Sequence, residues 1–316
     1  MSKNENLHKA KSAKNDEFYT RYEDIEKEVV NYKSQLKGLW IYCPCDDYRY
    51  SNFWKYFVDN FNELQLKHLT ATNYDIGEGA YRADYDGKDT TVTKLDGDGD
   101  FRSAECTSIK DECDIVITNP PFSLFREFIS WLMEYGKKFI VIGNLNAITY
   151  KELFPLIKNN KLWLGVTYFN GGAAYFYGDA SVFDVSKISN PKNAYVKDGK
   201  LYWRVNGVRW FTNMPHEKRN RPLDLYRKYS NECYPHYDNY DAIDSTTAEI
   251  PMDYGGVMGV PISFLDKYCP EQFEILGITE NADYLKPLHI ENCEKYDRPY
   301  IDGKRMYSRL LIRHLK

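Results

Sequence analysis

Apolar positions in this chain follow two rhythms that alternate through its first half. Ile25, Val29, Tyr32 and Leu36 recur at helical spacing after Thr20-Arg21-Tyr22-Glu23, which matches a capping box, so a helix is predicted from about Arg21 to Gln35. Leu39-Trp40-Ile41-Tyr42 reads as a buried strand, Phe53, Trp54, Phe57, Val58 and Phe61 as a second helical face, and Leu66 to Thr70 as a second strand. Asp114-Ile115-Val116-Ile117-Thr118 is a further strand. It leads into an amphipathic helix over Phe122 to Tyr135, with Phe125, Phe128, Ile129 and Leu132 inward, and then into the strand Phe139 to Ile142. A second capping box, Thr149-Tyr150-Lys151-Glu152, opens a helix that Asn159-Asn160 ends. Such alternation implies parallel strands with right-handed helical crossovers, which is a doubly wound α/β sheet.

Two segments break the rhythm. Gly77 to Gly97, rich in Gly, Asp and Thr, is expected to form an excursion or hairpin outside the main sheet. After about Gly165 the texture becomes alternating and aromatic. There Ala194-Tyr195-Val196 and Leu201-Tyr202-Trp203-Arg204-Val205 flank Asp198-Gly199 as a hairpin, and the sheet edge is expected to turn antiparallel. Beyond Asn213 come Pro215, Pro222, Pro235, Pro251 and Pro261 with few regular periods, which places a boundary near Asn213 to His216 and separates residues 1–213 from 214–316.

Composition narrows the class. With 43% hydrophobic and 28% charged residues the chain can bury a core, so disordered and fibrous classes are excluded. Its longest apolar runs, such as Phe139-Ile140-Val141-Ile142, fall far short of the roughly 18 residues a membrane span needs. The polar opening lacks the apolar core of a signal peptide, and seven scattered cysteines are expected to be free thiols in the cytoplasm. The formal charge is −4 but segregated: Asp75 to Asp114 holds twelve acids against five Lys/Arg, and Tyr229 to Asp266 seven acids and no Lys/Arg. Positive charge gathers in Lys3, Lys9, Lys11 and Lys14, in Lys218, Arg219, Arg221, Arg227 and Lys228, and in Lys304, Arg305, Arg309, Arg313 and Lys316. Localised positive faces suit phosphate contact, and a 16% aromatic content leaves rings to stack on bases.

The sharpest chemical signal is Asn119-Pro120-Pro121-Phe122, directly after a strand and before a helix, where doubly wound folds place ligands. Consecutive prolines lock the backbone extended and fix the directions of the Asn119 and Pro120 carbonyls. An exocyclic amino group on a base is a poor nucleophile, because its lone pair is delocalised into the ring. The Asn119 side-chain oxygen and the Pro120 carbonyl can accept both of its hydrogens and favour a tetrahedral nitrogen that attacks a methyl donor. Phe122 offers a flat face for an extruded base, since the amino group is unreachable inside a duplex.

This motif resembles that of the amino-methyltransferases that use S-adenosylmethionine. Together with Asp16-Glu17-Phe18-Tyr19-Thr20, Cys45-Asp46-Asp47, Ser51-Asn52-Phe53, Gly97-Asp98-Gly99-Asp100-Phe101-Arg102-Ser103, Leu162-Trp163-Leu164-Gly165-Val166 and Gly256-Val257-Met258-Gly259-Val260-Pro261, it makes most of the chain similar to the EcoRI-type DNA adenine methyltransferases. The resemblance implies a Rossmann-like catalytic and cofactor-binding domain over 1–213 and a DNA target-recognition region over 214–316. It implies donor binding by Phe18, Tyr19 and Thr20 and by Asp100 and Phe101, with Asp46 or Asp47 for the methionine amino group and Asn73, Tyr74 or Asp75 for the ribose. Lys218, Arg219, Arg221, Arg305 and Arg309 are the expected contacts to double-stranded DNA, in a monomer with no obligate protein partner. The first strand ends in Cys43-Pro44-Cys45-Asp46-Asp47, where the family pattern has a Gly-rich turn. Trp210-Phe211-Thr212-Asn213 resembles a family segment at the expected edge strand.

Rival chemistries fare worse. Cys43 and Cys45 lack a second closely spaced pair for zinc. Asp96, Asp98 and Asp100 imitate a calcium loop whose sixth and twelfth positions are Phe101 and Thr107. No P-loop motif occurs, and the six histidines share no motif. The same catalytic motif serves cytosine N4, RNA and protein glutamine, and a DNA-binding protein with a dead donor site is the reading of a different class.

Overall fold

The computed structural model describes residues 19–77, 79–169, 173–179, 194–197, 200–279 and 298–315. It opens with β1 (Tyr19–Thr20), α1 (Tyr22–Val29), a 3-10 turn and the short α2 (Lys33–Leu36). β2 (Trp40–Cys43), α3 (Asn52–Asp59), β3 (His68–Thr72), the hairpin β4 (Tyr81–Tyr85) and β5 (Thr90–Lys94), α4 (Ala104–Glu112) and β6 (Ile115–Thr118) follow. Then come α5 (Phe125–Met133), β7 (Lys138–Asn144), α6 (Phe154–Lys158), β8 (Trp163–Tyr168), β9 (Ala173–Asp179), β10 (Ala194–Lys197), β11 (Lys200–Asn206) and β12 (Val208–Thr212).

Eight strands make one sheet in the order β5-β4-β3-β2-β6-β7-β12-β8. β3, β2, β6 and β7 are mutually parallel, whereas β4 and β12 run antiparallel to their neighbours. The Ile115-Val116-Ile117-Thr118 strand is buried throughout, as parallel strands covered on both faces must be. Chain direction reverses between β2 and β6: from β2 the chain moves outward to β3, and from β6 outward to β7. That is the switch point at which a doubly wound sheet opens a crevice for ligands. The expected Rossmann-like α/β class is therefore the observed one.

Several local expectations need correction. The Gly77 to Gly97 segment is a hairpin, but it extends the main sheet: Leu69 to Thr72 pairs with Arg82 to Tyr85. Neither capping box forms. α1 has Arg21 at its N-cap with no side-chain cap, and Thr149 bonds back to the Asn146 carbonyl while α6 starts only at Phe154. The helix predicted from Phe122 begins as a 3-10 turn over Phe122–Leu124, because two prolines hold the preceding backbone extended. The hairpin β10–β11 exists in the expected register, yet with β9 and β1 it forms a separate sheet. Trp210-Phe211-Thr212 lies in β12, which pairs antiparallel with β7 and stands one strand in from the edge strand β8.

Contacts divide the chain into Met1–Asn144 with Gly165–Met214, and Leu145–Leu164 with Pro215–Lys316. The second unit therefore includes Leu145–Leu164, from before Asn213. It holds a sheet of β13 (Ile243–Asp244), β14 (Met258–Pro261), β18 (Arg309–His314) and β15 (Phe273–Ile278), in that order, and a hairpin of β16 (Tyr300–Ile301) and β17 (Lys304–Arg305). Lys158 of α6 donates to the carbonyls of Ile275 and Leu276. Among the described residues no helix is long and apolar enough to cross a membrane.

One buried clamp fixes the first unit's edge. The Glu28 carboxylate of α1 is fully buried and accepts from the Tyr32 hydroxyl, the Val166 and Thr167 amides and the Thr167 hydroxyl. Burial raises its pKa although these donors pull the other way. Gly165 makes room for the clamp, since a Cβ there would lie 2.3 Å from Glu28 Oε1 and 2.6 Å from Trp210 Cβ. Gly165→Ala is thus expected to lower stability by about 1–3 kcal/mol, read from urea unfolding, and an unchanged midpoint would contradict the clamp.

Candidate active site

The crevice at the switch point is built by the turns that follow β2, β3 and β6. Ser51 caps α3, its hydroxyl accepting from the Phe53 and Trp54 amides at 3.0 and 3.3 Å, which anchors the turn after β2. In that turn Asp46 is buried. Its carboxylate accepts the Ser51 hydroxyl on one oxygen and the Thr118 hydroxyl on the other, both at 2.6 Å, while its amide donates to the Thr72 carbonyl at 2.9 Å. Thr118 is the last residue of β6 and precedes Asn119. One carboxylate therefore ties the end of β2 to the residue that launches Asn119-Pro120-Pro121-Phe122. Burial pushes the Asp46 pKa up to about 6, with the Ser51 and Thr118 hydroxyls opposing the shift.

The N-terminal segment reaches the same place. Asn52, first residue of α3, donates to the Thr20 carbonyl at 2.7 Å. The Thr20 hydroxyl is buried and has no hydrogen-bond partner among the described residues. Phe18 and the Tyr19 side chain lie outside the described residues. From the turn after β3, the Asp75 amide donates to the Asp98 carbonyl, and Asn73 Oδ1 accepts the Tyr81 amide. Gly99 adopts φ +76°, and a Cβ there would stand 2.0 Å from the Asn73 carbonyl oxygen, so only glycine lets this turn lie on the end of β3. Asp100 follows on the turn but is held by the Arg102 guanidinium. Phe101 is 4% exposed and packs edge-on against Phe128 and Trp131. Asp47 likewise faces Arg49, which donates to both its oxygens.

At Asn119 the main chain leaves β6. Pro120 is buried, Asn119, Pro121 and Phe122 are half-buried, and Asn119 Oδ1 is shielded from solvent. Phe122 is half-buried and packs against the apolar core. Thus Thr20, Asp46 and the Asn119 motif are joined by one run of hydrogen bonds, with Gly99 to Phe101 on the neighbouring strand end.

The basic candidates lie in the second unit and differ among themselves. Arg221 and Arg305 are exposed and Lys218 half-buried. Arg219 stacks on Trp163 at 4.1 Å, donates to Asn160, and has its pKa lowered by burial. Arg309 is 12% exposed and paired with Asp244 at 2.7 Å, so its guanidinium serves the fold of that unit and presents little to a phosphate.

The family model for the EcoRI adenine-specific methyltransferases matches residues 6–315. The chain belongs to that family. It is 43% identical to the type II methyltransferase M.EcoRI of Escherichia coli, over 96% of this chain and 98% of the relative. It is 39% identical to M.MgeORF184P of Mycoplasma genitalium (97% and 98%) and 38% identical to M.MpnI of Mycoplasma pneumoniae (97% and 97%), both type II methyltransferases. No solved structure matches it. The protein is an adenine-specific methyltransferase.

Two residues of this candidate site escaped the sequence reading: Ser51 and Thr118, whose hydroxyls hold Asp46. Both lie inside family-like segments, but neither hydroxyl gives a periodic signal, and Thr118 stands 72 positions from Asp46, a gap closed only when β2 pairs with β6. A hydrogen bond to an ionised carboxylate is stronger than one to a neutral acid. Thr118→Val is accordingly expected to cost about 1.5–3 kcal/mol at pH 8. The loss should shrink at pH 5, where Asp46 is protonated, and equal losses at both pH values in urea unfolding would contradict this reading.

Proposed function

We propose that this methyltransferase transfers a methyl group from S-adenosylmethionine to N6 of an adenine extruded from a short site in double-stranded DNA. It does so as a cytoplasmic monomer, with the second unit contacting DNA through Lys218, Arg221 and Arg305. The observation that carries the reading is the Asp46 carboxylate, which ties the donor-side turn directly to the residue preceding Asn119.

The residues present suit such a donor. When bound, it supplies an electrophilic methyl group on a cationic sulfur. Asp46 has accepted one hydroxyl on each oxygen and keeps lone pairs for an ammonium group. The buried Thr20 hydroxyl has no partner among the described residues and is available to a bound ligand. Gly99 to Phe101 and Asn73 to Asp75 stand beside them for the adenosine moiety. On the acceptor side, Asn119 Oδ1 and the Pro120 carbonyl accept the two hydrogens of the adenine amino group and localise its lone pair, and Phe122 stacks on the extruded ring. Rate comes from alignment more than from a general base.

Asn119→Ala is expected to abolish transfer of labelled methyl to duplex DNA while leaving donor binding intact by calorimetry; loss of binding with residual transfer would contradict the role. Donor affinity should also depend on pH. Because the folded pKa of Asp46 is raised to about 6, the carboxylate that holds an ammonium is present above that pH and is lost as pH falls through it. Affinity should therefore drop between pH 7 and 5 in the wild type and stay flat, and weaker, in Asp46→Asn. A flat wild-type profile would remove Asp46 from the donor site.

A further inference from the structure

The hairpin β16–β17 has strands of only two residues each, Tyr300↔Arg305 and Ile301↔Lys304, and no third strand joins it among the described residues. Its turn, Asp302-Gly303, has φ +49° and +73°, the doubly left-handed conformation of a type I′ turn. A hairpin this short is not stable by itself in water. Two adjacent residues hold it in place. Asp238 accepts the Asp302 amide at 3.1 Å and the Gly303 amide at 2.8 Å on its two carboxylate oxygens, and its own amide donates to the Tyr300 carbonyl at 2.8 Å. Fully buried Asn239 accepts the Tyr300 amide at 3.0 Å and donates to the Arg298 carbonyl at 2.8 Å. Ile301 adds an apolar anchor against Tyr237, Tyr240, Ala242 and Leu311.

What these contacts hold in place is a basic return strand that leads into an exposed tyrosine. Lys304 and Arg305 are exposed, and Tyr307, two residues on, is 81% exposed, more than any other large hydrophobic side chain described. No acid occurs from Lys304 to Lys316. Asp238 has both oxygens committed to backbone amides, and the turn carries one exposed acid, Asp302, against the two cations. Holding the hairpin in place lowers the ordering entropy that a partner must overcome on binding its two cations and the tyrosine that follows them. A flat ring beside positive charge is complementary to a stacked, polyanionic ligand.

We infer that the β16–β17 hairpin is a preformed DNA probe, with Tyr307 stacking on an exposed base face, Lys304 and Arg305 taking phosphates, and Asp238 acting as its positioning residue. This rests on the DNA-methyltransferase reading above and adds to it a specific surface and a stacking residue.

The test measures binding of full-length protein to a duplex containing its methylation site across a range of salt concentrations, alongside methyl transfer. Tyr307→Ala should weaken binding roughly ten-fold to a hundred-fold with the salt slope unchanged, because a neutral ring releases no counterions. Tyr307→Phe should restore it. Arg305→Ala should instead flatten the slope of log K against log salt by about 0.9, one phosphate contact. Asp238→Ala, with every probe side chain intact, should weaken binding several-fold, and Asp238→Asn, whose oxygen still accepts an amide, should recover part of it. Donor affinity should be unaffected in all five variants. Wild-type transfer to DNA with undiminished binding by Tyr307→Ala overturns the inference alone; failure of the wild type to methylate or bind DNA overturns the functional reading and the inference with it.

Discussion

A single buried carboxylate organises the catalytic unit. Asp46 sits where β2 ends, and its two oxygens take hydroxyls from Ser51 and Thr118. One belongs to the helix cap that follows the donor-side turn, the other to the strand that delivers Asn119. Removing a carboxylate from water is costly, and here burial pushes its pKa up to about 6, so ionising it in the folded protein costs about 3 kcal/mol more than in water. The proton is held more tightly folded than unfolded. Asp46 therefore favours folding most below pH about 4 and loses that contribution as pH rises through about 6. An enzyme working near neutrality carries this cost at Asp46, and the cationic donor proposed above would offset it.

The same design appears twice. Glu28 fastens α1 to β8 with four donors and requires Gly165 opposite it, as Asp46 fastens β2 to β6. In both, a buried acid joins segments far apart in sequence through neutral donors, hydroxyls alone at Asp46 and hydroxyls with amides at Glu28, with no cation among the bonds. Neutral donors fix direction without drawing the charge toward one partner, so the Asp46 oxygens keep acceptor capacity for a ligand. Asp47 and Asp100, by contrast, are bound by the guanidinium groups of Arg49 and Arg102, and the two oxygens of each are occupied by charge. Of the acids that the family resemblance brings to the crevice, Asp46 is the one whose surroundings best suit a cationic group.

Much of this was legible in the sequence, for identifiable reasons. Parallel strands buried on both faces leave unbroken apolar runs, so Ile115 to Thr118 and Phe139 to Ile142 announced the sheet, and the Asn119-Pro120-Pro121-Phe122 motif announced the chemistry at its edge. What failed was local and polar. Thr20 and Thr149 head sequences that match capping boxes, but neither hydroxyl caps a helix, because tertiary contacts set where α1 and α6 begin. The Gly77 to Gly97 hairpin looked detached since β5 is exposed along its whole length and shows no apolar face, although β4 pairs fully with β3. Arg219 and Arg309 counted as surface cations by composition and turned out to be held by Trp163 and Asp244, contacts that no spacing rule reveals.

The central claim is that this arrangement aligns a methyl donor with an adenine amino group in duplex DNA. Incubating the purified protein with unmethylated duplex DNA and methyl-labelled S-adenosylmethionine, then separating the nucleosides, tests it most directly. The account predicts label in N6-methyladenine. Label in N4-methylcytosine, or none in DNA despite measurable donor binding, would contradict it.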